Sequence, residues 1–247
     1  MKIEDGLHLV LSGGAGFDLS DAFDCNVFMI AAGDQWLLFD SGAGRNPERL
    51  SEILAEDGID PAAIRHLFVT HGHADHSGGA ADLRERLRLT TYAGAATAKM
   101  VEAGDEVAIS LDRARQAGVY PADYRYRACA IDTVVEPGRP LAVGPVTIEL
   151  IETPGHSFDH ASYLVTTPTR RILVGGDALF WGGKVAIQDI YDCNIGAVCA
   201  TVRTLAAVDF DTLLPGHLNF SLRDARRHAD AAMDYVARLA CPPSIIV

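Results

Sequence analysis

Clustered positive charge is scarce in this 247-residue chain: the formal net charge is −12, and the only tight basic pairs are Arg170-Arg171 and Arg226-Arg227. Polynucleotide phosphates are held by grouped Lys and Arg, so a nucleic-acid partner is not expected, and the acidity favours solubility instead. Cysteine is also thinly spread. Cys25, Cys129, Cys193, Cys199 and Cys241 are scattered, odd in number and without Cys-x-x-Cys spacing, which argues against a disulfide framework or a thiolate zinc site. No apolar run approaches the ~20 residues of a membrane span. The opening Met1-Lys2-Ile3-Glu4-Asp5 is acidic where a signal peptide is basic. A cytoplasmic protein with a small-molecule substrate and no membrane partner is the expectation.

What is present is a hydrophobic fraction of 49%, enough for a sizeable core, and one stretch of unusual density. Thr70 to Gly79 reads Thr-His-Gly-His-Ala-Asp-His-Ser-Gly-Gly, with His71, His73, Asp75 and His76 inside six positions. Isolated histidines are ordinary surface or core residues, and His-x-His alone is a weak signal. Four ligand-type side chains after a β-prone run (66–70) and before a predicted helix (77–87) are a metal signature, because neutral imidazole and carboxylate are standard donors. His71 and His73, two apart in extended chain, face one side. Asp75 and His76, at the turn into the helix, address a second point.

Strand-like and helix-like segments alternate along the rest. Strands are predicted at 7–11, 26–32 and 35–40, the last two joined by a Gly33-Asp34 turn, and helices from Asn46-Pro47 to Gly58 and from 221 to 239. A helical stretch broken at Gly104 and a Tyr120/Tyr124/Tyr126 cluster form an insertion at about 93–127. The tyrosines fit packing or a substrate wall. Met100, Val107, Ile109 and Leu111 have helix-like spacing there. Further strands at 131–135, 141–143, 146–151, 162–166, 171–174 and 211–214, and a helix at 197–208, complete the pattern. Four strands end in Gly-containing turns that carry a ligand type: Asp40, His156 on Thr153-Pro154-Gly155, Asp177 on Gly175-Gly176, and His217 on Pro215-Gly216. Asp40 alone reads equally well as a turn cap.

The series resembles the metallo-β-lactamase superfamily, with Asp40, the His71-x-His73-x-Asp75-His76 loop, His156, Asp177 and His217 matching its five motifs in order. The resemblance implies an α/β fold, an αββα four-layer sandwich of two mixed β-sheets flanked by helices, as one domain over 1–247. It also implies two divalent metal ions, with zinc expected and iron or manganese as alternatives. His71, His73 and His156 would hold one ion and Asp75, His76 and His217 the other. Asp177 would bridge, and Asp40 would brace the loop by hydrogen bonds. About one helix follows His217, less than the glutathione-binding domain of glyoxalase-II-like members. The layout between the second and third motifs is closest to acyl-homoserine lactonases, except that Phe180 stands where those carry tyrosine.

The expected activity is metal-dependent hydrolysis of a small ester, lactone or thioester, with Asp75, or the bridging Asp177, orienting the nucleophile. The alternatives are a mononuclear iron persulfide dioxygenase and a metal-binding protein without turnover. Phe180, Trp181 and Phe220, close in sequence to ligands, fit either a pocket lining or ordinary packing.

Overall fold

The computed structural model describes residues 1–246, which divide into two compact units, the first Met1–Val135 and the second from Glu136 onward. The first is built on a seven-stranded sheet in sequence order, β1 (Lys2–Glu4), β2 (Leu7–Leu11), β3 (Val27–Ala32), β4 (Gln35–Phe39), β5 (Ile64–Val69), β6 (Thr90–Ala93) and β7 (Thr133–Val134). β1 to β4 are antiparallel, with Gly33 (φ +76°) supplying the left-handed residue of the β3–β4 turn. From β4 onward the neighbours are parallel, so each connection is a crossover. The crossovers carry α1 (Pro47–Glu56), then α2 (Ala74–Ser77) and α3 (Ala80–Leu87), then α4 (Ala95–Ala103) and α5 (Leu111–Gln116). Parallel neighbours end at one edge. Asp40 and Thr70-His71 therefore emerge side by side.

The core under this edge joins Val10, Val27, Met29, Leu38, Leu67 and Val69 of the sheet with Leu50, Ile53 and Leu54 of α1 and Leu83 of α3. Across the strands, Phe39 stacks on Phe68 (5.2 Å between ring centroids) and Phe68 on Tyr92 (4.5 Å). Each such pair adds about 0.5–1.5 kcal/mol beyond burial. The stack stiffens β4, β5 and β6 just before two of them deliver polar residues.

The second unit holds a five-stranded sheet in the order β12-β11-β10-β9-β8, from β8 (Leu141–Val143), β9 (Val146–Glu152), β10 (Ala161–Thr166), β11 (Arg171–Gly176) and β12 (Thr212–Pro215). All its pairings are antiparallel except β11–β12. β9, β11 and β12 consequently run the same way, and the turns bearing His156, Asp177 and His217 leave the sheet at one end. α6 (Ile195–Ala206) and α7 (Arg226–Ala237) cover it through Val198, Val202, Leu205, Ala229, Ala232 and Val236. Both sheets are thus mixed and flanked by helices, as expected.

Several boundaries differ from the sequence reading for local reasons. The helix expected over 77–87 begins at Ala80, separated from α2 because Gly78-Gly79 is drawn against the loop after β4: Gly79 N–H donates to Gly42 O, and a Cβ on Gly44 would lie 2.8 Å from Gly78 O. The last helix begins at Arg226 rather than 221, since Ser221 exchanges both backbone hydrogen bonds with Leu213 and Asp224 is left-handed (φ +49°). Val107 is 59% exposed, in a turn capped by the Asp105 carboxylate, so it does not join Ile109 and Leu111 inside. Among the described residues no helix is long and apolar enough to cross a membrane.

Candidate metal site

In the first unit the short strand exit and the four-residue α2 bring the motif together. The His71 ring centroid lies 4.7 Å from that of His73 and 4.1 Å from that of His76, and Asp75 Oδ2 lies 3.6 Å from His76 Nε2. His71, His73 and His76 are buried; Asp75 is partly exposed. Asp40, left-handed at φ +62°, anchors the loop. Its carboxylate accepts from Thr70 N–H (2.8 Å), Thr70 Oγ1 (2.9 Å) and His76 Nδ1 (2.8 Å). A carboxylate can only accept, so His76 carries its proton on Nδ1 and its lone pair on Nε2. Thr70 gives its proton to Asp40 and therefore receives one from His71 Nδ1 (3.0 Å), which leaves the lone pair on His71 Nε2 as well. A metal-binding imidazole is ordinarily held in this way through its other nitrogen.

Three residues that sequence reasoning did not single out also shape the loop. Ser77 Oγ donates within its own turn to Gly72 O (2.8 Å) and meets Tyr126 OH (2.8 Å). Cys25 offers a sulfur that lies, with ligand atoms of Asp40 and His76, within a 4.8 Å cluster. Burial pushes its thiol up to about 12, so it packs there protonated. Thr70 relays between Asp40 and His71 as above. A hydroxyl or thiol among apolar neighbours carries no signal of its own in a sequence, although Thr70 and Ser77 do flank the histidine run.

The tyrosine cluster packs on this loop. Tyr120 stacks on Phe23 (5.2 Å) and Tyr124 (5.0 Å), and Tyr124 OH donates to Ala43 O (2.7 Å). Burial, reinforced by the nearby Asp75 charge, raises the Tyr120 hydroxyl well above its ordinary value, so it stays protonated. Packing is therefore the role the structure gives these rings.

In the second unit His156 and Asp177 are buried and His217 partly so. Asp177 Oδ2 lies 3.4 Å from His156 Nε2 and 3.4 Å from His217 Nε2. Both separations exceed ordinary hydrogen bonds, which rarely pass about 3.2 Å. They equal the edge of a tetrahedron: metal–ligand distances of about 2.0–2.1 Å put neighbouring donor atoms about 3.3–3.4 Å apart. The His156 turn is fixed from α6, where Thr201 Oγ1 donates to Pro154 O (2.7 Å) and Asn194 N–H to Gly155 O (2.8 Å). Of the three aromatics near the ligands, Phe180 is fully buried, whereas Trp181 is 44% exposed between the His228 ring (4.6 Å) and the Arg227 guanidinium (5.2 Å). Phe220 is partly buried.

Residues 20–217, spanning all the ligand-type positions above, match the family described as the metallo-beta-lactamase superfamily. The chain belongs to that superfamily. It is 26% identical over 194 residues to "Probable metallo-hydrolase YqgX" of Bacillus subtilis, a match covering 78% of this chain and 84% of that one. Against a hydroxyacylglutathione hydrolase of Acidiphilium cryptum the figures are 27% over 207 residues, 82% and 71%. An atrochrysone carboxyl ACP thioesterase of Pseudocercospora fijiensis is 25% identical over 194 residues, 78% of this chain but only 46% of the larger relative. Among solved structures, the subclass B3 metallo-β-lactamase BJP-1 of Bradyrhizobium japonicum shares the fold at a TM-score of 0.67, with 23% identity over 88% of this chain and 76% of that one. The chain is thus a superfamily hydrolase whose His and Asp clusters suit divalent metal.

Proposed function

We propose that this superfamily member hydrolyses a small ester, lactone or thioester at a dinuclear, zinc-preferring centre. His71, His73 and His156 would hold one ion, Asp75, His76 and His217 the second, and Asp177 would serve both. The ligand sets come from the family pattern. The observation that carries the dinuclear reading is the Asp177 carboxylate, whose single Oδ2 keeps a tetrahedral-edge distance to imidazoles of two different motifs. When bound, the ions would supply a hydroxide at neutral pH, by lowering the pKa of bound water toward ~7, and would polarise the substrate carbonyl.

The chain's own groups do the rest. Asp40 keeps His76 in the tautomer whose Nε2 can donate to a metal, and through Thr70 does the same for His71. Asp75, partly exposed, would orient the attacking water and then hold its proton. The relatives named as a hydroxyacylglutathione hydrolase and an atrochrysone carboxyl ACP thioesterase favour thioesters within the substrate range. Five free cysteines suit a reducing compartment such as the cytoplasm.

The test is elemental analysis of protein made in metal-replete medium, followed by assays of zinc and iron forms on ester, lactone, thioester and persulfide substrates with acid release and oxygen uptake both recorded. About two ions per chain and oxygen-independent acid release by the zinc form are expected. A value held near one ion, with oxygen uptake on the persulfide by the iron form alone, would establish the dioxygenase instead.

A further inference from the structure

His160, four residues beyond His156, is buried and belongs to none of the five motifs. Its Nε2 lies 2.9 Å from the backbone nitrogen of Asp177, and its Nδ1 lies 2.8 Å from Thr153 Oγ1. The directions of these bonds are forced. A backbone N–H can only donate, so Nε2 is the acceptor and the proton sits on Nδ1, donating to Thr153. Thr153 Oγ1 then donates to Ser162 Oγ (3.0 Å), which donates to Gly175 O (3.2 Å). The chain of donors closes on the strand end that leads into Asp177. On the other face of the same peptide group, Gly176 O accepts from Gly216 N–H (2.8 Å), the residue before His217. Gly176 itself is left-handed (φ +49°).

The Gly176–Asp177 peptide is therefore gripped from both sides, its N–H by the turn that follows His156 and its carbonyl by the turn that carries His217. We infer that His160 is a positioning residue: by accepting the Asp177 N–H it sets where the Asp177 carboxylate stands between His156 and His217. The inference rests on the dinuclear reading of Asp177, while both ring nitrogens of His160 are engaged by Thr153 and the Asp177 N–H. Outer hydrogen-bond partners of metal ligands typically govern 10–100-fold in metal affinity.

The test compares wild type with His160→Phe, which keeps the ring but offers no acceptor, and His160→Gln, whose amide can accept from Asp177 and donate to Thr153. Metal-stripped proteins are titrated with cobalt(II), recording metal content and the visible d–d spectrum, and the metal-free forms are melted. The Phe variant is expected to lose about 10–100-fold in affinity for the weaker-bound ion and to shift the spectrum, while Gln restores most of both. A Phe variant with wild-type affinity and spectrum, lower only in melting temperature, would make His160 a packing residue and overturn the inference. So would equal losses in the Phe and Gln variants. Should the Phe variant not fold, Thr153→Val, which removes the acceptor of the Nδ1 proton, decides: wild-type affinity there overturns the inference, and a several-fold loss supports it. Wild type binding a single ion would instead refute the dinuclear reading, and the His160 inference would then be judged by the affinity of that one ion.

Discussion

Ser77 Oγ and Tyr126 OH stand 2.8 Å apart, linking residues separated by 49 positions and tying the end of the tyrosine-rich segment to the histidine loop. Ser77 holds Gly72 O at the same time. Tyr126→Phe should therefore cost about 1 kcal/mol, the usual worth of one such bond, in urea denaturation of the metal-free protein. An unchanged midpoint would show that the bond does not stabilise the loop.

Asp40→Asn tests the charge at the base of that loop while keeping a side chain that tolerates φ +62°. The amide has one acceptor oxygen for the Thr70 N–H, Thr70 hydroxyl and His76 Nδ1–H that the carboxylate serves together. Metal affinity should fall about 10–100-fold with the fold retained, read by competition against a chromophoric chelator. Asp40→Ala should in addition destabilise the protein by about 1–3 kcal/mol for each buried donor it orphans.

Gly155 sits at φ +143°, and a Cβ there would come within 2.5 Å of the Val198 backbone nitrogen. Alanine must both strain the turn and push α6 away from it. A loss of about 1–3 kcal/mol or more is expected from backbone strain, together with weakened metal binding through the displaced His156. Thermal unfolding with and without metal separates the two effects.

His66 provides a pH test. Burial, then the neighbouring Arg65, lowers its pKa below the ordinary 6.5. Its Nε2 meets Gln35 Oε1 (2.9 Å) and its Nδ1 meets Tyr92 OH (3.1 Å), a neutral arrangement. Below pH 6.5 the unfolded chain takes up a proton at this residue that the folded one refuses, so stability falls as pH drops from 6.5 through the folded pKa, and above 6.5 the residue contributes no slope. Melting of metal-free His66→Gln should show a shallower decline over that range than wild type. Parallel curves would assign the acid sensitivity to other groups.

How much of this was legible in the sequence follows from the chemistry of each residue. His71, His73, Asp75, His76, His156, Asp177 and His217 stand out only as a series, each ordinary by itself but together repeating a ligand type at or just after a strand end, and those strand ends were placed within a few residues. His160 was not legible. Its position just before β10 looks like that of an ordinary polar residue at a strand entrance, and its role depends on a backbone N–H seventeen residues away. The break at Gly78-Gly79 was hidden likewise, since it answers to Gly42 and Gly44 across the loop rather than to its own helix. Val107 was misjudged because spacing alone does not reveal that Asp105 turns the chain outward there.

The carboxylate of Asp40 has a further consequence. Three hydrogens point directly at it, those of Thr70 N, Thr70 Oγ1 and His76 Nδ1, and that of His71 Nδ1 stands one step behind. One carboxylate thus fixes the tautomers of His71 and His76, and the lone pairs of both imidazoles are turned away from it. The aim of these two rings is therefore a product of folding, set by a residue thirty positions upstream of Thr70.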